Sequence, residues 1–252
     1  AEARGVQTGA ARSAALLQGR PLLVRKVPES ARRERRDLFG GEGESDLLYQ
    51  LRALDWAEAM RFDTGKCREL GIHAQAARQA VQTAGLFRNI SRGKKTAKSP
   101  RQPETELRKC LAVAFADHLA LRRPDTRRCD LVDGRVAEID RDSICTDAPL
   151  LVAAEIRESE RTPTPFLAGV TRVEEAWLGE CGPDLFEDVT EPRYDEHLKR
   201  VVTETRKTFG GLTLERSVSH EVSDDDAARL LLERVDGGEV PLPGWDGEVD
   251  RW

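Results

Sequence analysis

Apolar residues change their spacing within residues 106–145, near the middle of the chain. Four of them recur at three- and four-residue intervals, which places them on one face of a helix: Leu107, Leu111, Ala114 and Phe115. From Leu119 onward, apolar residues alternate with small or basic ones, which is the two-residue period of a strand. Asp133 and Gly134 separate two such runs and favour a tight hairpin turn. The pattern predicts a helix that leads into a β-rich segment.

The two-residue period predicts five strands in this segment. They are His118–Arg123, Arg128–Val132, Arg135–Ile139, Leu150–Arg157 and Phe166–Val173. We expect them to form one small closed sheet behind the leading helix, over residues 105–175.

The first 92 residues carry helical periods instead. Ser45 suits the N-cap of a helix with an apolar stripe. The stripe consists of Leu47, Leu48, Leu51 and Leu54, continued by Trp56. A second stripe holds helical spacing at Ala77, Val81, Ala84, Phe87 and Ile90. Residues 1–92 are therefore predicted to form a helical bundle.

Mixed structure is predicted for residues 176–252. A short helix surrounds Trp177, and the arms Leu198–Phe209 and Leu212–Ser217 flank a Gly-Gly turn, as in a hairpin. Ser223 precedes three aspartates and a leucine run, which indicates a capped helix whose first turn is acidic.

Positive charge is concentrated in the first part of the chain, although the formal net charge is −5. Residues 1–100 contain 19 lysines and arginines against 11 acidic residues, and residues 101–252 contain 21 against 34. Neutralised phosphates supply much of the affinity for nucleic acids, so basic residues in the helices, in a linker over 93–104 and beside one hairpin are candidate contacts. They are Arg78, Arg88, Arg92, Lys94, Lys95, Arg122, Arg123, Arg127 and Arg128. The alternative is that they are ordinary solvated surface.

Two further observations bear on nucleic-acid binding. The run ARRERRDLF, residues 31–39, has four arginines in five positions, which suits either a phosphate contact or, as we favour, a solvated helix face. Aromatic residues make up only 5% of the chain, whereas single-strand binders usually stack bases on aromatic rings. Any binding by the sheet is therefore expected to be led by the phosphate backbone.

The cysteines, the lengths of the apolar runs and the two chain ends together favour a fragment of an intracellular protein. Five cysteines form no CxxC pair, which favours reduced thiols in a cytoplasm over disulfides or zinc. No apolar run approaches the roughly 18 residues of a membrane span. The chain begins with Ala1 and ends at Trp252 within a helix-like run, so we expect it to be part of a longer protein.

Three stretches resemble the C-terminal region of DEAH-box ATP-dependent RNA helicases of the bacterial HrpB type. LRKCLAVAFADHLALRR is similar to the entry into that family's oligonucleotide-binding (OB) barrel, although the proline expected near RDSIC is missing. IHAQAARQ, residues 72–79, fits the I-x-x-Q-A-x-R-Q pattern of the family's helical "ratchet" bundle. EEAWL, YD…KRVV and the closing GWDGEVDRW resemble the HrpB-type C-terminal extension.

The resemblance implies a multi-domain α + β chain: a ratchet-like bundle over 1–92, a linker over 93–104, an OB-like barrel over 105–175 and an extension over 176–252. It implies single-stranded RNA and the N-terminal RecA-like motor domains of a parent chain as partners, with no membrane. ATP and magnesium are expected only for that motor, because GxxxxGK[ST] and the DEAH box are absent here. No catalytic residue, metal site or cofactor is expected in this chain. The alternative is a scaffold that braces the motor or docks a protein.

Overall fold

The computed structural model describes residues 5–40, 43–90, 102–159 and 162–239, without the side chain of Ile90. These residues form eight α-helices and eight strands. The chain divides into two compact units, residues 1–183 and residues 184–252. The predicted domain boundaries at 92, 104 and 175 stay a prediction.

Six helices open the first unit. They are α1 (Gln7–Gln18), α2 (Glu29–Phe39), α3 (Asp46–Ala59), α4 (Thr64–Glu69), α5 (Ala74–Ile90) and α6 (Pro103–Ala114). The Ser45 hydroxyl caps α3 by accepting a hydrogen bond from the Leu48 amide at 3.3 Å. Helices α1, α3 and α5 share a core in which Ala53, Leu54 and Ala77 are fully buried. The two apolar stripes therefore lie where their spacing predicts, apart from Ile90, whose side chain is outside the described residues.

Helix α6 departs in part from its predicted face. Leu107 and Leu111 are buried, but Ala114 is exposed, and Ala112 is buried in its place. Helix α6 ends at Ala114, and Phe115, already outside the helix, has φ −124°. The helical period therefore no longer applies at Phe115, and Ala114 is the last residue of the helix.

Arg35 on α2 is buried, which differs from the solvated face expected for ARRERRDLF. Its guanidinium donates to the carbonyls of Leu70, Gly71 and Val24. Burial lowers its pKa. One arginine of the run thus joins the turn between α4 and α5 to the segment before α2.

A closed five-stranded barrel follows α6. Its strands are β1 (Leu119–Arg122), β2 (Arg128–Leu131), β3 (Val136–Ile139), β4 (Leu150–Ser159) and β5 (Thr162–Arg172). The order around the barrel is β1-β2-β3-β5-β4, with β4 paired back to β1. Only β3 and β5 run parallel. The five predicted strands and the closed sheet are confirmed.

Small apolar side chains fill the barrel. Ala120, Ala137, Ile139, Leu151 and Leu167 have no exposed surface. The thiols of Cys129 and Cys145 lie in the same core, where burial raises the pKa of each to about 12.

Strands β2 and β3 form the predicted hairpin, but the conformation of its turn differs from the expected one. Gly134 has φ +82°, but Asp133 does not take a positive φ. The amide of Gly134 donates to Leu131, and that of Leu131 donates to Arg135, so three residues form the loop. Asp133 contributes through its side chain, which accepts from the Arg135 amide at 3.0 Å.

The start of α3 is bound to the barrel. The Asp46 carboxylate accepts from the Ser143 hydroxyl at 3.0 Å and from the amides of Ile144 and Val170 at 2.9 and 2.8 Å. The Ser45 hydroxyl lies 2.8 Å from that of Thr171. These bonds hold the β3–β4 loop and strand β5 against the N-terminus of α3.

A short helix, α7 (Leu178–Cys181), closes the first unit. Trp177 lies just before it, with the guanidinium of buried Arg108 5.1 Å from the centre of its ring. Arg108 also pairs with Glu44 at 2.9 Å.

The second unit is a three-stranded antiparallel sheet with a helix: β6 (Phe186–Asp195), β7 (Arg200–Phe209), β8 (Leu212–Ser219) and α8 (Asp224–Asp236). The predicted hairpin corresponds to β7 and β8, and Ser223 caps α8 through the Asp226 amide at 3.2 Å. Strand β6 was not predicted. It pairs with β7 along its whole length, from Phe186 to Asp195.

Candidate nucleic-acid interface

A groove of about 510 Å³ lies in the first unit between the helices and the barrel. Helices α1 to α3 and the segment before α2 supply one wall, and the β3–β4 loop with strands β4 and β5 supplies the other. Leu16, Leu17, Leu22 and Leu23 make part of the first wall apolar.

Arginine is the most frequent charged residue of the groove. Six arginines line it, against four acidic residues. The arginines are Arg25, Arg32, Arg35, Arg36, Arg141 and Arg157. They come from both walls, so an anion in the groove would meet positive charge from the helices and from the barrel.

Two of these arginines are bound to the backbone or to a residue of their own helix. Arg35 is bound to three backbone carbonyls, as described above. Arg36 pairs with Glu29 on its own helix at 3.0 Å.

Two others are held by acidic residues of the barrel. Arg25, before α2, lies 3.5 Å from both Asp140 and Asp142. Arg157 on β4 lies 3.6 Å from Asp140 and 2.6 Å from Glu155. The hydrogen bond from Arg157 lowers the pKa of Glu155. Asp140 thus lies between one arginine from each wall.

Arg32 and Arg141 form no ion pair with any residue that the structure describes. Both are exposed, Arg32 on α2 and Arg141 on the β3–β4 loop. Their guanidinium groups therefore keep their donors available for an anion.

The buried carboxyl group of Asp46 belongs to the framework of the groove. Burial raises its pKa, and the hydrogen bonds from Ile144, Val170 and Ser143 oppose this shift. Its acceptor oxygens are already used within the protein. Asp46 fixes the position of the β3–β4 loop, which carries Arg141 and Asp142.

The predicted contact residues that the structure describes lie outside this groove. Arg78 and Arg88 are exposed on α5, and the guanidinium of Arg78 lies 5.4 Å from the centre of the Phe62 ring. Arg92, Lys94 and Lys95 fall outside the described residues.

The four predicted arginines of the barrel stand close in sequence at the β1–β2 loop. Arg122 donates to the carbonyl of Thr126 at 3.0 Å, and Arg127 donates to that of Ile139 at 3.1 Å. Arg123 pairs with Asp130 at 2.6 Å, and Arg128 is exposed. As phosphate contacts, all nine residues stay a prediction.

Sequence reasoning missed Arg25, Arg141 and Arg157. Arg141 and Arg157 are single arginines in mixed-charge stretches, and Arg25 follows an apolar run beside Lys26, so none of the three carries a local signal of phosphate binding. Only the arginine run on α2 gave a hint, since Arg32 and Arg36 both line the groove.

Across the described ranges, no group of three or more His, Cys, Asp or Glu side chains is arranged to hold a metal ion. Within the same ranges, no helix has both the length and the apolar character needed to cross a membrane.

No protein-family model and no curated protein matches the chain. The chain is similar in structure to the crystal structure of the Escherichia coli DExH-box NTPase HrpB. The match covers 96% of this chain, with 17% sequence identity and a TM-score of 0.44. A second crystal structure, of the Escherichia coli DEAH/RHA helicase HrpB, gives 20% identity and a TM-score of 0.42 over 69% of this chain. The chain spans 28% and 21% of the length of those two chains.

Proposed function

We propose that this chain is the accessory C-terminal region of an ATP-dependent DEAH-box RNA helicase of the HrpB type. It holds single-stranded nucleic acid in the groove while the ATP-driven motor domains of the parent chain move along the strand. The observation that carries this proposal is the set of arginines that reach the groove from both the helices and the barrel.

The architecture supports the proposal. We assign the barrel to the OB type because it has five strands, closes on itself and has one parallel pair, between β3 and β5. We assign the helices before it to a ratchet-like bundle, in line with the IHAQAARQ motif at the start of α5. Barrels of the OB type often bind oligonucleotides.

The chemistry of the groove suits the backbone of a strand more than its bases. Tyr49 is the one aromatic residue among its lining residues, and it is buried. Guanidinium groups match phosphate oxygens in geometry and charge. We therefore expect sequence-tolerant binding with a strong dependence on salt.

A filter-binding titration with single-stranded RNA over a range of salt concentrations tests the proposal. The log of the affinity is expected to fall linearly with the log of the salt concentration. The double variant Arg32→Ala/Arg141→Ala should weaken binding and reduce the slope by about 1 to 1.5, because each lost phosphate contact to a single strand contributes roughly 0.7.

Arg33→Ala is the matched control. Arg33 neighbours Arg32 on α2 and is exposed, but it does not line the groove. Equal losses in Arg32→Ala and Arg33→Ala would contradict a role for the groove.

The second candidate function is a scaffold that braces the motor without touching nucleic acid. The network around Asp46 favours it, because this network ties the helices to the barrel through the protein's own side chains and backbone. Absence of RNA binding at low salt would support the scaffold.

A further inference from the structure

The carboxylates that line the groove are of two kinds. Asp46 is buried and fully hydrogen-bonded, so its contacts belong to the fold. The pairs that hold Arg25 and Arg157 are open to solvent. The side chain of Arg25 is 60% exposed, that of Asp142 48% and that of Glu155 54%.

Open pairs of this kind exchange partners easily. A surface ion pair contributes about 0–1 kcal/mol, because water and salt screen both charges. Arg25 contacts Asp140 and Asp142 at 3.5 Å, longer than a close guanidinium–carboxylate hydrogen bond. A phosphate group with more acceptor oxygens would compete well for the same donors.

We propose that Asp142 and Glu155 are internal competitors of phosphate: they occupy Arg25 and Arg157 in the free protein and set the affinity of the groove for a strand. This inference rests on the proposed function. A bound strand first meets Arg32 and Arg141, which have no carboxylate partner among the described residues. It then takes Arg25 and Arg157 from their carboxylates.

Asp140 has a different part. Its side chain is only 17% exposed and accepts from the Asp142 amide at 3.1 Å, while its own amide donates to Leu167. It shapes the β3–β4 loop as well as holding arginines, so a change at Asp140 would mix both effects. Asp142 and Glu155 are the positions at which competition alone can be measured.

The test is RNA binding by Asp142→Asn and Glu155→Gln in the full chain. Each substitution is expected to tighten binding of single-stranded RNA at low salt by about three- to ten-fold, because it removes one of the two carboxylates that hold the guanidinium and a negative charge close to the phosphate. The salt slope should change little, because the bound strand makes the same phosphate contacts in the variants and in the unchanged protein.

Glu104→Gln is the control for net charge. Glu104 pairs with Arg52 at 2.8 Å with 56% of its side chain exposed, and it does not line the groove. The substitution makes the same charge change and breaks a similar pair. It should alter RNA affinity less than two-fold.

A double-mutant cycle with Arg25 separates competition from general repulsion. In an Arg25→Ala background, Asp142→Asn should lose most of its gain, because the arginine to be freed is missing. A gain of the same size in both backgrounds would overturn the inference for Asp142.

The outcomes distinguish the two proposals. If the unchanged protein binds RNA and both Asp142→Asn and Glu155→Gln bind it no more tightly, then the carboxylates do not compete with phosphate. The proposed function still stands in that case. If neither the unchanged protein nor any variant binds at the lowest salt, the proposed function fails and this inference fails with it.

Discussion

Arg35 shows how one side chain in a charged run can belong to the core. It is 7% exposed, whereas its neighbours Arg32, Arg33 and Arg36 are exposed on the same helix. The sequence predicted the helix, but an arginine run has no feature that separates a buried member from a solvated one. The distinction comes from the carbonyls of Leu70 and Gly71, which are distant in sequence and need a donor.

Asp46 offers a test of the contact between α3 and the barrel. Asp46→Ala removes the carboxylate that accepts from two partly buried amides and a hydroxyl, so we expect the free energy of unfolding to fall by about 3 kcal/mol. Asp46→Asn keeps one acceptor oxygen and should cost roughly half as much. Chemical denaturation at pH 7 measures both.

The pH dependence gives a second readout for Asp46. Its pKa is raised in the folded state by burial, so the stability that it contributes is present below its unfolded pKa and is lost as the pH rises through the folded pKa. The loss of unfolding free energy caused by Asp46→Ala should therefore be larger at pH 4 than at pH 8. The other carboxylates titrate in both proteins, so their effect cancels in this difference. A cost that grows with pH would contradict a raised pKa.

At the scale of elements, periodicity predicted most of the fold. The amphipathic helices and the five strands of the barrel follow from spacing and turn residues. Strand β6 was missed because FEDVTEPRYD mixes charge with an internal proline, which argues against a central strand. Pro192 is tolerated because β6 lies at the edge of its sheet.

A cluster of ion pairs in the β6–β8 sheet surrounds Glu204. Glu204 is 5% exposed and contacts the guanidinium groups of Arg193, Arg206 and Arg216, one from each strand. Glu204→Gln should lower the free energy of unfolding by about 2 kcal/mol, because three arginines lose a shared buried partner.

Glu191→Gln is the control for this cluster. Glu191 pairs with Arg206 at 2.5 Å, but 61% of its side chain is exposed, so its loss should cost less than about 1 kcal/mol. Similar costs for the two variants in thermal or chemical denaturation would show that burial of Glu204 contributes nothing.

At the scale of the whole molecule, the two compact units differ in what they contain. Residues 1–183 include the helices, the barrel and the groove, and residues 184–252 include the β6–β8 sheet and α8. A shortened chain that ends at residue 183 is expected to unfold cooperatively and to bind RNA with the salt slope of the full chain. A broad, non-cooperative transition in calorimetry would contradict its independence.

The groove itself was beyond prediction from the sequence. Its charges come together only after folding, since Arg25 and Asp140 are 115 positions apart in the chain. Composition predicted a basic first part, and the arginine run on α2 lies there. The arginines contributed by the barrel lie in a part of the chain whose net charge is negative. The net charge of that part therefore gave no indication of them.

The two thiols inside the barrel have a practical consequence. Cys129 is fully buried and Cys145 is 2% exposed, and with a pKa of about 12 neither is a reactive thiolate at neutral pH. An alkylating reagent can reach Cys129 only when the strands separate, and Cys145 only when the β3–β4 loop moves away from the barrel core. The rate of their modification therefore reports how often the barrel opens, and it does so at native cysteines without an attached probe.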